Sequence, residues 1–134
     1  MGTSHPHRYD HSFTQPYAKI EPIVRYIQKH YREAISVAEV AKHFGLSTRQ
    51  LDRRFQQVLK MCPHEFIMRL RIKSACEELR KTNASILEIA LSLGFYDQSC
   101  FTLHFHRRMG ITPLHYRKQD RLGEEEQKQA PIGI

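Results

Sequence analysis

A chain of 134 residues holds one domain or two very small ones, and is too short for an enzyme with separate substrate and cofactor lobes. Hydrophobic residues make up 40% and charged residues 26%, the balance of a chain that folds in water; no run nears the roughly 18 apolar residues of a membrane span, and no secretory apolar segment follows Met1. Twenty-one Lys and Arg against 14 Asp and Glu leave a formal net charge of +7, which favours a polyanionic partner.

In chain order, residues 1–19 lack apolar periodicity and contain Pro6 and Pro16, so a disordered arm or linker is expected there. His5, His7 and His11 in that arm read as part of a solvated tail and not as a metal site. A first helix is expected to begin near Glu21-Pro22, proline being suited to the first helical position, with Ile23, Val24, Ile27 and Tyr31 as its apolar stripe. Further helix starts are marked by capping chemistry. Ser36 with Glu39, Ser47 with Gln50 and Ser85 with Glu88 each fit S-x-x-E/Q, in which hydroxyl and later side chain satisfy otherwise unpaired backbone donors. Asp97 is a fourth candidate N-cap, and Pro63 and Pro113 open two more helices. After Arg121 the polar run LGEEEQKQAPIGI is expected to be a disordered tail over 121–134. The result is an all-α chain of about seven helices without strands: a helix-turn-helix subdomain over 20–61, a linker helix over 62–81 and a second helix-turn-helix subdomain over 82–120.

The two subdomains come from an internal repeat. SVAEVAKHFGLSTRQLDRRF, residues 36–55, is echoed by SILEIALSLGFYDQSCFTLHF, residues 85–105. In the first copy Val37, Val40, Ala41 and Phe44 make the apolar face of a short helix. Gly45 then ends it in a conformation open to glycine, Leu46 plugs the corner, and Leu51, Phe55 and Leu59 supply the next buried stripe. In the second, Ile86, Ile89, Ala90 and Leu93 precede Gly94 and Phe95, and Phe101 and Phe105 follow. Ser36 to Ser85, Ala41 to Ala90 and Gly45 to Gly94 are each 49 apart, whereas Phe55 to Phe105, Pro63 to Pro113 and Phe66 to Tyr116 are each 50 apart. One extra residue therefore sits in the second turn.

Burying Leu51 and Phe55 leaves Arg49, Arg53 and Gln56 nearly opposite, with Thr48 and Asp52 on the shoulders, since each residue turns a helix by about 100°. The equivalent face of the second copy is Ser99, Leu103 and His106, flanked by Gln98 and Thr102. Arg and Gln projecting from a helix that fits the major groove suit bidentate readout of guanine and adenine edges. Lys60, Arg71, Arg107 and Arg108 are the candidate phosphate contacts. Between the copies, Phe66, Ile67 and Leu70 lie on one side of a helix and Ile72, Ala75, Cys76 and Leu79 on nearly the opposite side. A helix serving one core would not change faces, so its first half is expected to pack on the first unit and its second half on the second. Twenty helical residues span ~30 Å, close to the ~34 Å repeat between successive major-groove faces.

Cys62, Cys76 and Cys100 are odd in number and widely spaced, and read as reduced cytoplasmic thiols without the short spacings of a zinc site. No catalytic triad, carboxylate pair or phosphate-binding glycine loop appears, so no enzyme, cofactor or metal is expected. A helical protein-interaction module remains compatible with the same faces.

The segment SILEIALSLGFYDQSCFTLHFHRRMGITPLHYR, with its glycine-phenylalanine, acidic turn, paired phenylalanines, G-I-T-P and Y-R in order, resembles the DNA-binding domain of the arabinose-regulator (AraC/XylS) family of bacterial transcription regulators; the likeness covers about Ile23 to Arg117. The resemblance implies two helix-turn-helix subdomains joined by a long helix, monomeric docking on asymmetric promoter DNA with recognition helices in successive major grooves, and activation or repression of transcription. It further implies RNA polymerase as a partner and an N-terminal sensor or dimerisation domain, which nothing in this chain resembles. Family base contacts carried over by position fall on Arg49, Asp52 and Arg53, and on Gln98, Ser99 and Thr102. Leu103 stands where members often have Arg, and it has two readings: contact with a thymine methyl, or with another protein. His104 replaces a usually apolar neighbour. Lys60 stands where the second copy has Gly110, which implies a differently ended first recognition helix or a strained turn. DNA alkylation-repair proteins that carry this kind of domain add a cysteine cluster ahead of the helices, and this chain has none.

Overall fold

The structure, a computed structural model, describes residues 19–129, with side chains described as far as Glu124. Residues 1–18 of the arm expected over 1–19, and the end of the expected tail, 130–134, lie outside the described residues. Within them are seven helices and no strand: α1 (19–30), α2 (Val37–His43), α3 (Thr48–Leu59), α4 (Pro63–Lys81), α5 (Ile86–Ser92), α6 (Gln98–Met109) and α7 (Pro113–Gln129). None is long and apolar enough to cross a membrane.

The chain divides into two compact units. One comprises Ile35–Met68 together with the residues up to Tyr31; the other comprises Arg32–Ala34 and the residues from Arg69 onward. The division falls inside α4, between Met68 and Arg69, so the first half of that helix belongs to the first unit and its second half to the second, as the change of buried face along it leads one to expect. The three residues Arg32–Ala34 belong to the second unit although they precede the first helix-turn-helix.

In the first unit α1 is already helical at residue 19, which corrects the expected start at Glu21-Pro22. Ile20 is fully buried and adds a step to the stripe Ile20, Ile23, Ile27, so burial carries the helix back past Pro22. Val24 is only half-buried, and Tyr31 lies beyond the helix. Val40 and Ala41 of α2, Leu51 and Phe55 of α3, and Ile67 and Met68 of α4 complete the core. Each large buried side chain contributes roughly 1.5–3 kcal/mol. Phe55 meets Phe66 edge-on, with ring centroids 5.8 Å apart. Where α2 ends, Leu46 N–H donates to the Ala41 carbonyl at 2.8 Å and Gly45 takes φ +67°, a closure that turns the chain into α3.

The second unit repeats this design. Ala75 and Leu79 of α4, Ile89, Ala90 and Leu93 around α5, and Phe101 and Phe105 of α6 are fully buried. A file of aromatic rings runs from Phe95 to Phe101 (5.1 Å), Phe105 (5.7 Å) and Tyr116 (5.6 Å). Arg80 donates to the Tyr116 hydroxyl at 2.8 Å. Arg117 donates to the Leu79 carbonyl at 3.0 Å, and Arg121 to the Thr82 carbonyl at 3.0 Å, so cations from α7 satisfy carbonyls at the C-terminal end of α4. The Tyr116-Arg117 pair is thus a structural fastening. α7 continues to Gln129, which corrects the disordered tail expected from 121: the run Glu124–Gln129 consists of good helix formers with no proline.

Cys62, Cys76 and Cys100 are free thiols, and burial pushes the Cys76 thiol above its ordinary pKa.

Candidate nucleic-acid interface

The first recognition helix is α3. Its start is fastened by a capping box closed in both directions: the Gln50 amide donates to Ser47 Oγ at 3.1 Å, and the Ser47 amide donates to Gln50 Oε1 at 2.9 Å. Leu51 and Phe55 are buried completely, which rotates Thr48, Arg49, Asp52, Arg53 and Gln56 outward, all five exposed. That face carries two guanidinium groups against one carboxylate.

In α6, Asp97 Oδ1 accepts from the Cys100 amide at 2.7 Å, and Phe101 and Phe105 point inward. Gln98, Ser99, Leu103 and His106 are exposed and Thr102 is half-buried. The structure brings these five together around one open concavity of ≈ 590 Å³ and adds a sixth lining residue, Thr112. Sequence reasoning missed Thr112 as part of this surface. Its signal was present in G-I-T-P, where a threonine before the helix-opening proline caps α7, and the His115 amide donates to Thr112 Oγ1 at 3.2 Å. No Lys, Arg, Asp or Glu is among the residues lining this concavity.

The candidate phosphate contacts separate. Arg107 is exposed; Arg108 is half-buried, its Nη1 lying 3.5 Å from His104 Nδ1. Lys60 is exposed and ends α3 with φ 58°, ψ 31°, the left-handed conformation that Gly110 supplies at the end of α6. Its Nζ reaches back to the Gln57 carbonyl at 3.2 Å.

Arg71 is corrected. Only 5% of it is exposed, its Nη2 donates to the Glu33 carbonyl at 2.8 Å, and its guanidinium lies 5.5 Å from the centre of the Phe95 ring. Burial lowers its pKa from the ordinary value. A guanidinium enclosed in this way holds the Arg32–Ala34 segment in the second unit and offers nothing to a phosphate. An arginine in an exposed-looking turn of a long helix carries no sign in the sequence of the chain segment that covers it.

Residues 40–119 match a helix-turn-helix domain family. The HTH-type transcriptional regulator ArgR of Pseudomonas aeruginosa is 32% identical over 123 residues, which are 92% of this chain and 34% of that protein. The chain therefore spans about a third of the length of that relative. A crystal structure of a transcriptional regulator from Chromobacterium violaceum, described as an AraC-type DNA-binding domain-containing protein, is 31% identical with a TM-score of 0.68, covering 81% of this chain and 96% of that one. The DNA-binding domain of AdpA, a global transcriptional factor solved in complex with a target DNA, is 26% identical with a TM-score of 0.75, covering 80% and 96%. With seven helices, two helix-turn-helix units and these likenesses, the chain belongs to the AraC/XylS family of helix-turn-helix transcription regulators.

Proposed function

We propose that this chain is the sequence-specific double-stranded DNA-binding part of a bacterial transcription regulator, with α3 and α6 as recognition helices in successive major grooves. The observation that carries the reading is the exposed face of α3: Arg49, Arg53 and Gln56 held outward on a doubly capped helix, within a basic chain. Arg49 and Arg53 suit guanine edges. Lys60, Arg107 and Arg108 position the phosphates. Relatives named as transcriptional regulators support this reading over an enzymatic one, and the AdpA complex supports the choice of DNA. A sensor domain outside this chain, RNA polymerase as a partner, docking as a monomer and a place on the bacterial nucleoid complete the proposal.

A binding titration on a site selected from a random duplex library tests it. Arg53→Ala is expected to cost ~1–3 kcal/mol and relax preference at one base position. Arg107→Ala should weaken all sequences alike and make the salt slope about one unit shallower. An Arg53→Ala chain that binds the selected site as tightly as the wild type would sink the assignment of α3. A wild-type chain that binds no duplex while capturing a protein partner would leave the interaction-module reading in its place.

A further inference from the structure

We infer that Leu103 reads the C5-methyl group of a thymine, so that the second unit selects a T·A pair at the register position where Arg53 of the first selects guanine; this rests on the DNA-binding reading above. Leu103 is 50% exposed, although the helix carrying it buries Phe101 and Phe105 completely. Two residues from each of them, it is turned about 200° away from the core, so its exposure does not come from an incompletely packed core stripe. It lies in the concavity of α6 among Gln98, Ser99, Thr102, His106 and Thr112, the one hydrocarbon side chain in a lining of hydroxyl, amide and imidazole groups.

The offset of 50 that places Phe55 on Phe105 and Pro63 on Pro113 places Arg53 on Leu103. At this point of the face a guanidinium has been exchanged for an isobutyl group. In the major groove thymine alone presents a methyl group, whereas guanine presents two acceptors that leucine would desolvate without pairing. Gln98 in the same lining suits the N6 and N7 edge of adenine. The absence of Lys, Arg, Asp and Glu from this lining points the same way, because discrimination here has to come from methyl contact and from hydrogen bonds of hydroxyl, amide and imidazole groups. The second block of the binding site is therefore A·T-selective, and the first is guanine-selective.

The test uses the whole chain on its own selected site. Each thymine of the second block is replaced in turn by deoxyuridine, which removes the methyl and leaves base pairing intact. At one position the replacement is expected to weaken wild-type binding roughly threefold to tenfold, the worth of one buried methyl contact. Leu103→Ala, checked for unchanged melting, should bind thymine and uracil at that position equally. Leu103→Arg should move the preferred pair there to G·C while the first block stays as it was. A second block insensitive to uracil throughout, or a Leu103→Ala chain that still discriminates thymine from uracil, would overturn the assignment and leave α3 readout standing. Enrichment of a single block only would overturn it too, freeing the α6 face for a protein partner. If the wild type enriches no sequence, the DNA-binding reading itself fails, and this inference with it.

Discussion

The guanidinium of Arg71 and the glycine beside it form a fastening that neither residue forecasts alone. A Cβ added at Gly94 would meet the Glu33 carbonyl oxygen at 2.6 Å, Arg71 Nη2 at 2.9 Å and the Arg32 carbonyl oxygen at 3.0 Å, whereas one added at Gly45 meets nothing within 4 Å. Both glycines have positive φ, so an alanine at either is strained by roughly 1 kcal/mol. Only at Gly94 does it also collide with backbone. Urea unfolding should therefore show a loss of roughly 1 kcal/mol for Gly45→Ala and ~3 kcal/mol or more for Gly94→Ala. Equal losses would mean that the Arg32–Ala34 segment yields freely. Arg71→Met removes the charge-assisted bond to the Glu33 carbonyl and should cost roughly 1.5–3 kcal/mol of stability. The salt dependence of DNA binding should not change. A slope shallower by about one unit in that variant would return Arg71 to the phosphate contacts.

At the scale of the element, the two recognition helices share a scaffold and differ at their ends and faces. Both are 12 residues long, capped at the start and anchored by two fully buried side chains, one turn apart. α6 ends on glycine, which takes the left-handed conformation without cost, but α3 ends on Lys60, which does not. The phosphate contact proposed for Lys60 would account for a lysine kept in this strained position, where its ammonium group bonds the Gln57 carbonyl of its own helix. Lys60→Gly should raise stability by ~1 kcal/mol and weaken DNA binding for all sequences, with the salt slope shallower by about one unit. Unchanged binding on a more stable protein would leave the strain without this explanation. The faces differ as the ends do: α3 displays cations, while α6 gathers hydroxyl, amide and imidazole groups around Leu103. α7 shows a limit of composition as a guide. Its end is polar enough to read as a tail, yet it is helical to Gln129, because glutamate, glutamine and lysine are helix formers wherever nothing interrupts them.

For the whole molecule, a net charge of +7, with exposed Lys60 and Arg107 and half-buried Arg108 at the candidate phosphate positions, predicts strongly salt-dependent DNA binding. Lys60, Arg107 and Arg108 together correspond to a slope of log K against log salt of about −2.7 or steeper. A slope near zero on the selected site would deny the electrostatic share of the proposed interface. The repeat, the helix starts, the change of buried face along α4 and the ten outward residues of α3 and α6 were legible in the sequence. Each follows from local rules: capping needs three residues, a helical stripe needs four, and a duplicated motif carries its own register. The start of α1, the role of Arg71, the fastening of α4 by Arg117 and Arg121 and the inclusion of Thr112 in the α6 surface were not. These depend on partners about 35 to 39 residues away, as in Arg71 to Glu33 and Arg121 to Thr82, or on how a neighbouring helix end abuts a face. Contiguous residues were enough to determine an all-α, duplicated helix-turn-helix architecture, because periodicity and capping are written in them. Only the tertiary structure decided which arginines face solvent and which are consumed in holding the fold, because burial of a cation depends on the chain segment that comes to cover it.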